Sequence, residues 1–175
     1  MAAALPHTDA EVLVIADADS WAEGTGEAVR LVAGGHTRWA VPHWHVRRLA
    51  APATARVLAG GRLGGELERP AYVGYAGGGI TVIRRDAYER TPLDRRFLGW
   101  GGEDMSWGLA LSTLEGEGWR GQADLWHLWH GAAPRVGIYG SDAARGLHHQ
   151  YRRARGKPDR MRRLVQEGHH RNVSV

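Results

Sequence analysis

Two adjacent carboxylates, Glu103 and Asp104, close the segment Phe97-Leu98-Gly99-Trp100-Gly101-Gly102-Glu103-Asp104. A carboxylate held beside a bound hydroxyl can take its proton as a general base. Trp100 offers a flat apolar face that suits a sugar ring. Gly101 and Gly102 let the backbone turn tightly and approach a ligand closely. Helix capping would account for the two acids, but not for Trp100 or the paired glycines. A second group is Asp17-Ala18-Asp19. Carboxylate oxygens favour hard divalent cations such as Mn²⁺ or Mg²⁺, which commonly bridge to phosphates. The same residue types also build strand-end turns and helix caps. The third group is Leu125-Trp126-His127-Leu128-Trp129-His130. His127 and His130 converge on one metal only if the backbone turns between them; in a regular strand they face opposite ways.

Each group needs an element to hold it. Val12-Leu13-Val14-Ile15 reads as a short buried strand, leaving Asp17 and Asp19 at its end, where α/β sheets place their ligand crevice. In extended backbone both carboxylates would share one side. Ile80 to Ile83 is a β-branched strand preceded by Gly77-Gly78-Gly79, so Gly78 and Gly79 bring main-chain amides to a ligand without an intervening side chain. Asp86 and Tyr88 begin a short helix. Trp107, Leu111 and Leu114 recur at helical spacing, so Glu103 and Asp104 open a helix whose dipole favours their ionised forms. In the middle, Glu27 to Val32 forms a helix ended by Gly34-Gly35. Thr37 to Val41 reads as a strand stopped by Pro42. His43 and His45 would share one strand face, as a sugar-contacting rim or a packed edge in preference to a metal site. Thr54 to Leu58 is helical. Gly60 to Gly65 is a flexible loop, either a connector or a cover over a ligand. From Ser141 onward two polar helices follow, broken around Gly156-Lys157-Pro158.

Taken together and in this order, the motifs resemble those of the GT-A glycosyltransferases. The likeness is to the catalytic half shared by β-galactosyltransferases and polypeptide N-acetylgalactosaminyltransferases, and it covers roughly residues 10 to 135. It implies an α/β fold of GT-A type with an N-terminally abbreviated mixed sheet flanked by helices. It also implies a divalent metal, Mn²⁺ or Mg²⁺, gripping the diphosphate of a nucleotide sugar. Carried over by position, Asp19 and His130 are metal ligands, with Asp17 beside them or on the ribose. His127 stands where galactosyltransferases place a Met ligand, a departure from the pattern that imidazole can serve. Trp100 corresponds to the Trp that touches donor and acceptor, and Asp104 to the catalytic base, with Glu103 beside it. The Glu-Asp ending accompanies inversion at the anomeric carbon. The implied reaction moves a hexose of galactose type, from a donor such as a UDP-hexose, to a hydroxyl of a glycan, protein or small-molecule acceptor.

At 175 residues the chain has room for one core. Residues 1–140 form the catalytic unit in this reading and 141–175 a basic helical extension. That extension accounts for much of the +4 net charge and reads as a solvated face, with His148 and His149 as lesser candidates for a diphosphate contact. The eight Trp form no basic-aromatic platform for stacking bases, so no nucleic-acid partner is expected. Zero cysteines and the lack of an apolar run of membrane-spanning length point to a cytoplasmic protein without a membrane span. The segment before Asp17 is too short for a complete nucleotide-binding βαβ unit. A partner chain supplying that half is therefore one expectation. A non-catalytic sugar-binding remnant is the rival reading, and a metal-dependent hydrolase the third.

Overall fold

Six short runs rich in β-branched and aromatic residues supply the strands: β1 (Val12–Ala16), β2 (Ser20–Ala22), β3 (Trp39–Arg48), β4 (Tyr72–Val73), β5 (Ile80–Arg84) and β6 (Trp119–His127). The computed structural model describes residues 8–99, 101–131 and 139–170. The strands form one mixed sheet in the order β1-β5-β3-β6-β2, with β4 paired to β3 off this path. Every pairing is antiparallel except β3 with β6. Six helices accompany it: α1 (Thr25–Ala33), α2 (Ala51–Leu58), α3 (Arg85–Arg90), α4 (Glu103–Leu114), α5 (Asp142–Ala154) and α6 (Pro158–His170). The chain is thus mixed α/β, with a mixed sheet.

Alternation along the strands sends side chains to two apolar layers. Trp39, Val41 and Ile83 pack with Tyr88 of α3 and with Trp107 and Leu111 of α4. Ala40 and Val82 pack with Ala28 and Val32 of α1. A third layer joins α4 to the C-terminal helices, with Ala110 against Leu147, Tyr151, Met161, Leu164 and Val165. The last two helices are therefore amphipathic rather than polar all round. Their basic residues lie on the face away from this layer.

Several expectations are corrected. β1 is an edge strand and not a buried one; Val14 is 47 % exposed. Pro42 does not stop β3, which runs on to Arg48. The β3–β6 register shifts between Val41 and His43, and a bulge is where a residue without an N–H fits into a sheet. A second shift, between His43 and His45, breaks the alternation. His43 is fully buried while His45 is exposed, so the two do not share a face. Asp17-Ala18-Asp19 is a turn linking β1 to β2 and not extended backbone; the Ser20 amide donates to the Asp17 carbonyl at 3.1 Å. Residues 8–10 are not helical.

Candidate active site

The β1–β2 turn presents Asp19 to the far end of β6. β2 and β6 pair antiparallel with Ser20 opposite His127, and the Leu128 amide continues the ladder to the Asp19 carbonyl at 2.9 Å. β6 ends at His127, so the alternation that would part the two imidazoles stops there. His127 Nε2 lies 3.7 Å from Asp19 Oδ1, and His130 Nε2 lies 3.4 Å from Asp19 Oδ2. One ligand atom from each of these three residues falls within 4.8 Å of the others. Each histidine engages its other nitrogen with a main-chain carbonyl: His127 Nδ1 with Leu128 O at 2.6 Å, and His130 Nδ1 with Gly131 O at 2.7 Å. A carbonyl only accepts, so both Nδ1 atoms carry a proton, and the Nε2 atom of each ring faces Asp19. Burial first, and then the Arg48 guanidinium, lower the pKa of His127 and keep it neutral. The donor set, one carboxylate and two imidazoles, fits a divalent transition ion such as Mn²⁺.

The glycine segment before β5 joins this cluster to the carboxylates of α4. The Asp17 amide donates to Gly79 O at 2.9 Å. A Cβ on Gly78 would stand 2.9 Å from Asp104 Oδ2, and one on Gly108 would run into the carbonyl of Ala76. Glycine at both places lets the segment lie directly on the first turns of α4. Asp104 then shares its surroundings with Asp17. Burial, then Glu103, then Asp17 raise the Asp104 carboxyl from 3.8 to about 7. Asp17 is also raised, first by the protein crowded round it and then by Asp19, although its outer surface meets solvent. Glu103 buries Oε2 without a hydrogen-bond partner. Gly101 and Gly102 both take the left-handed conformation that the turn into α4 requires, at φ of 97° and 94°.

The turn acids, the glycine segment, the start of α4 and the end of β6 are thus brought together. Asp17 stands beside the three-residue cluster rather than in it. Trp100 lies outside the described residues. His148 does not face a diphosphate site; its Nδ1 lies 3.0 Å from Ser106 Oγ, which donates to Gly102 O at 2.6 Å. His148 therefore braces the turn into α4. Sequence reasoning passed over Arg48, the last residue of β3, which is in register with His127 and close enough to lower the pKa of both Asp17 and His127. Its only sequence signal is the Arg47-Arg48 pair at the end of an apolar strand, informative once β3 and β6 are known to run parallel. No protein-family model matches this chain, and no curated protein matches it.

Proposed function

We propose that the chain is a metal-dependent glycosyltransferase domain of GT-A type. It would move a galactose-type hexose from a nucleotide diphosphate sugar, such as a UDP-hexose, to an acceptor hydroxyl with inversion. The observation that carries this reading is that Asp17 and the glycine segment join two different devices. A divalent-cation donor set (Asp19, His127, His130) lies beside a carboxyl whose pKa sits near neutrality (Asp104). Bound there, a divalent transition ion such as Mn²⁺ would neutralise the charge developing on the departing diphosphate. Asp19 and the two imidazoles would hold the cation, and the Arg48 guanidinium adds positive charge at the same end. Asp104 takes the proton from the acceptor hydroxyl as oxygen bonds to the anomeric carbon and the bond to the diphosphate breaks. A carboxyl near pH 7 suits that transfer, because enough is ionised to act and the base is stronger than an ordinary Asp. Asp17 is placed for the ribose or the edge of the diphosphate. Gly78 and Gly79 keep the wall beside Asp104 free of side chains, and Glu103 holds Asp104 up by its charge.

Calorimetric titration of UDP with and without Mn²⁺ tests this. Binding should require the metal and disappear in Asp19→Ala and His130→Ala. Asp104→Asn should keep that binding and lose transfer from a UDP-hexose. A folded protein that binds no UDP under either condition would refute a self-sufficient transferase and leave the sugar-binding half-subunit in its place.

A further inference from the structure

On the sheet face opposite Leu125 and His127, a row of side chains crosses three strands. Trp21 of β2 is registered against Trp126 of β6, and Trp126 against Arg47 of β3. Both indoles alternate with inward neighbours, Ser20 and Ala22 around Trp21 and Leu125 and His127 around Trp126, so they emerge on the same face. Trp21 is 61 % exposed. The Arg47 guanidinium covers Trp126 at 5.5 Å from the ring centroid and bonds Asp124 through Nε at 2.5 Å. His45 Nδ1 lies 3.8 Å from the other oxygen of Asp124. Trp126 adjoins His127 in sequence but emerges on the other face of β6, so the row lies behind the strand end that carries the cation cluster.

We propose that this row is a carbohydrate platform that holds a glycan chain on the sheet face behind the cation cluster; that the glycan is an acceptor rests on the transferase reading above. A pyranose has an apolar C–H face and a rim of hydroxyls. An exposed indole matches the first, and the planar Arg47–Asp124 pair with His45 matches the second. Charged groups interrupt the row, so it lacks the contiguous apolar core of a protein–protein hot spot. Its one guanidinium is held by a carboxylate, so it offers no track of cations for a nucleic-acid backbone.

Saturation-transfer NMR tests the platform without any turnover. The probes are the methyl β-glycosides of glucose, galactose and N-acetylglucosamine, each recorded with and without MnCl₂ and UDP. At least one glycoside should receive saturation on its ring C–H protons. Trp21→Ala should weaken that binding about tenfold, while Trp21→Phe, which keeps a ring, should restore most of it. Metal-dependent UDP binding should be unchanged in both, showing that they fold. No transfer to any of these glycosides in a folded protein that binds Mn²⁺ and UDP would overturn the platform. So would a signal that Trp21→Ala leaves intact. Glycoside binding that depends on Trp21, in a protein that fails to bind UDP, would uphold the platform and remove only the transferase reading.

Discussion

Asp104 has a cost that can be measured without a substrate. Its carboxyl titrates near 7 in the folded chain and near its ordinary 3.8 when unfolded. Below about pH 4 both states are protonated and nothing is lost. As pH rises from about 4 to 7, the unfolded state releases the proton while the folded state keeps it, so folding loses stability; above 7 the loss is complete. The ceiling is on the order of 4 kcal/mol, and less as water reaches the partly buried group. Thermal melts of cation-free protein should therefore show Asp104→Asn pulling ahead of wild type through this window and holding its lead at pH 8. Equal pH profiles would mean that Asp104 ionises as an ordinary surface Asp and is not tuned as a base. A rate of sugar transfer that rises through neutral pH would be the catalytic face of the same property.

At the scale of elements, placement depends on close backbone contact. Gly108 lies inside α4, where Ala would ordinarily stabilise a helix by about 1 kcal/mol. A methyl group there would collide with the carbonyl of Ala76. Gly108→Ala should therefore destabilise the fold by about 1–3 kcal/mol, the range for overpacking, and lose transfer out of proportion by displacing Gly78 from Asp104. A stabilised Gly108→Ala variant with full activity would show that this contact yields freely.

Asp94 makes the second such joint. It is nearly buried, bonds Arg96 and accepts from Tyr151 OH at 2.8 Å, while Arg96 reaches the Leu164 carbonyl at 2.8 Å. The segment leading into α4 is thereby fastened to α5 and α6. Asp94→Ala leaves Arg96 with the Glu167 carboxylate and the Leu164 carbonyl but unpairs the Tyr151 hydroxyl, and should cost about 1–3 kcal/mol, read from the denaturation midpoint.

Much of this was legible because local chemistry and position agree. Ile80 to Ile83 is a strand, Trp107 and Leu111 face the core of α4, and Gly34-Gly35 ends α1 as the sequence suggests. What escaped depends on partners distant in sequence. Pro42 inside β3 is tolerated because β6 shifts register beside it, and nothing near Pro42 announces that. The convergence of His127 and His130 needs the end of β6, which their own hexapeptide leaves open. Arg48 and His148 acquire a role only from neighbours on other elements.

For the whole molecule, the cation cluster and the C-terminal helices lie on different parts of one fold, and each has its own test. Asp19 enters from the β1–β2 turn and the histidines from the end of β6, so a bound ion ties two edges of the site together. Mn²⁺ at about a hundred times its Kd should add about 2.7 kcal/mol, or several degrees of melting temperature at about 2–4 °C per kcal/mol. Asp19→Ala should abolish that rise.

The helices α5 and α6 pose the opposite question, whether they can be removed. Their charges suggest an appendage, yet Leu147, Tyr151, Met161, Leu164 and Val165 cover Ala110 and the outer side of α4. That is the same helix whose first turn carries Asp104. Burying side chains of this size is worth about 1.5–3 kcal/mol each, so the five together contribute about 7.5–15 kcal/mol, as much as the about 5–15 kcal/mol by which domains are usually stable. A chain ending before Ser141 should therefore lack a cooperative melt by circular dichroism and fail to bind UDP with Mn²⁺. Should it melt like the full chain and keep its site, the helices would be a passenger on α4. The placement of Asp104 would then depend on the sheet and the glycine segment alone.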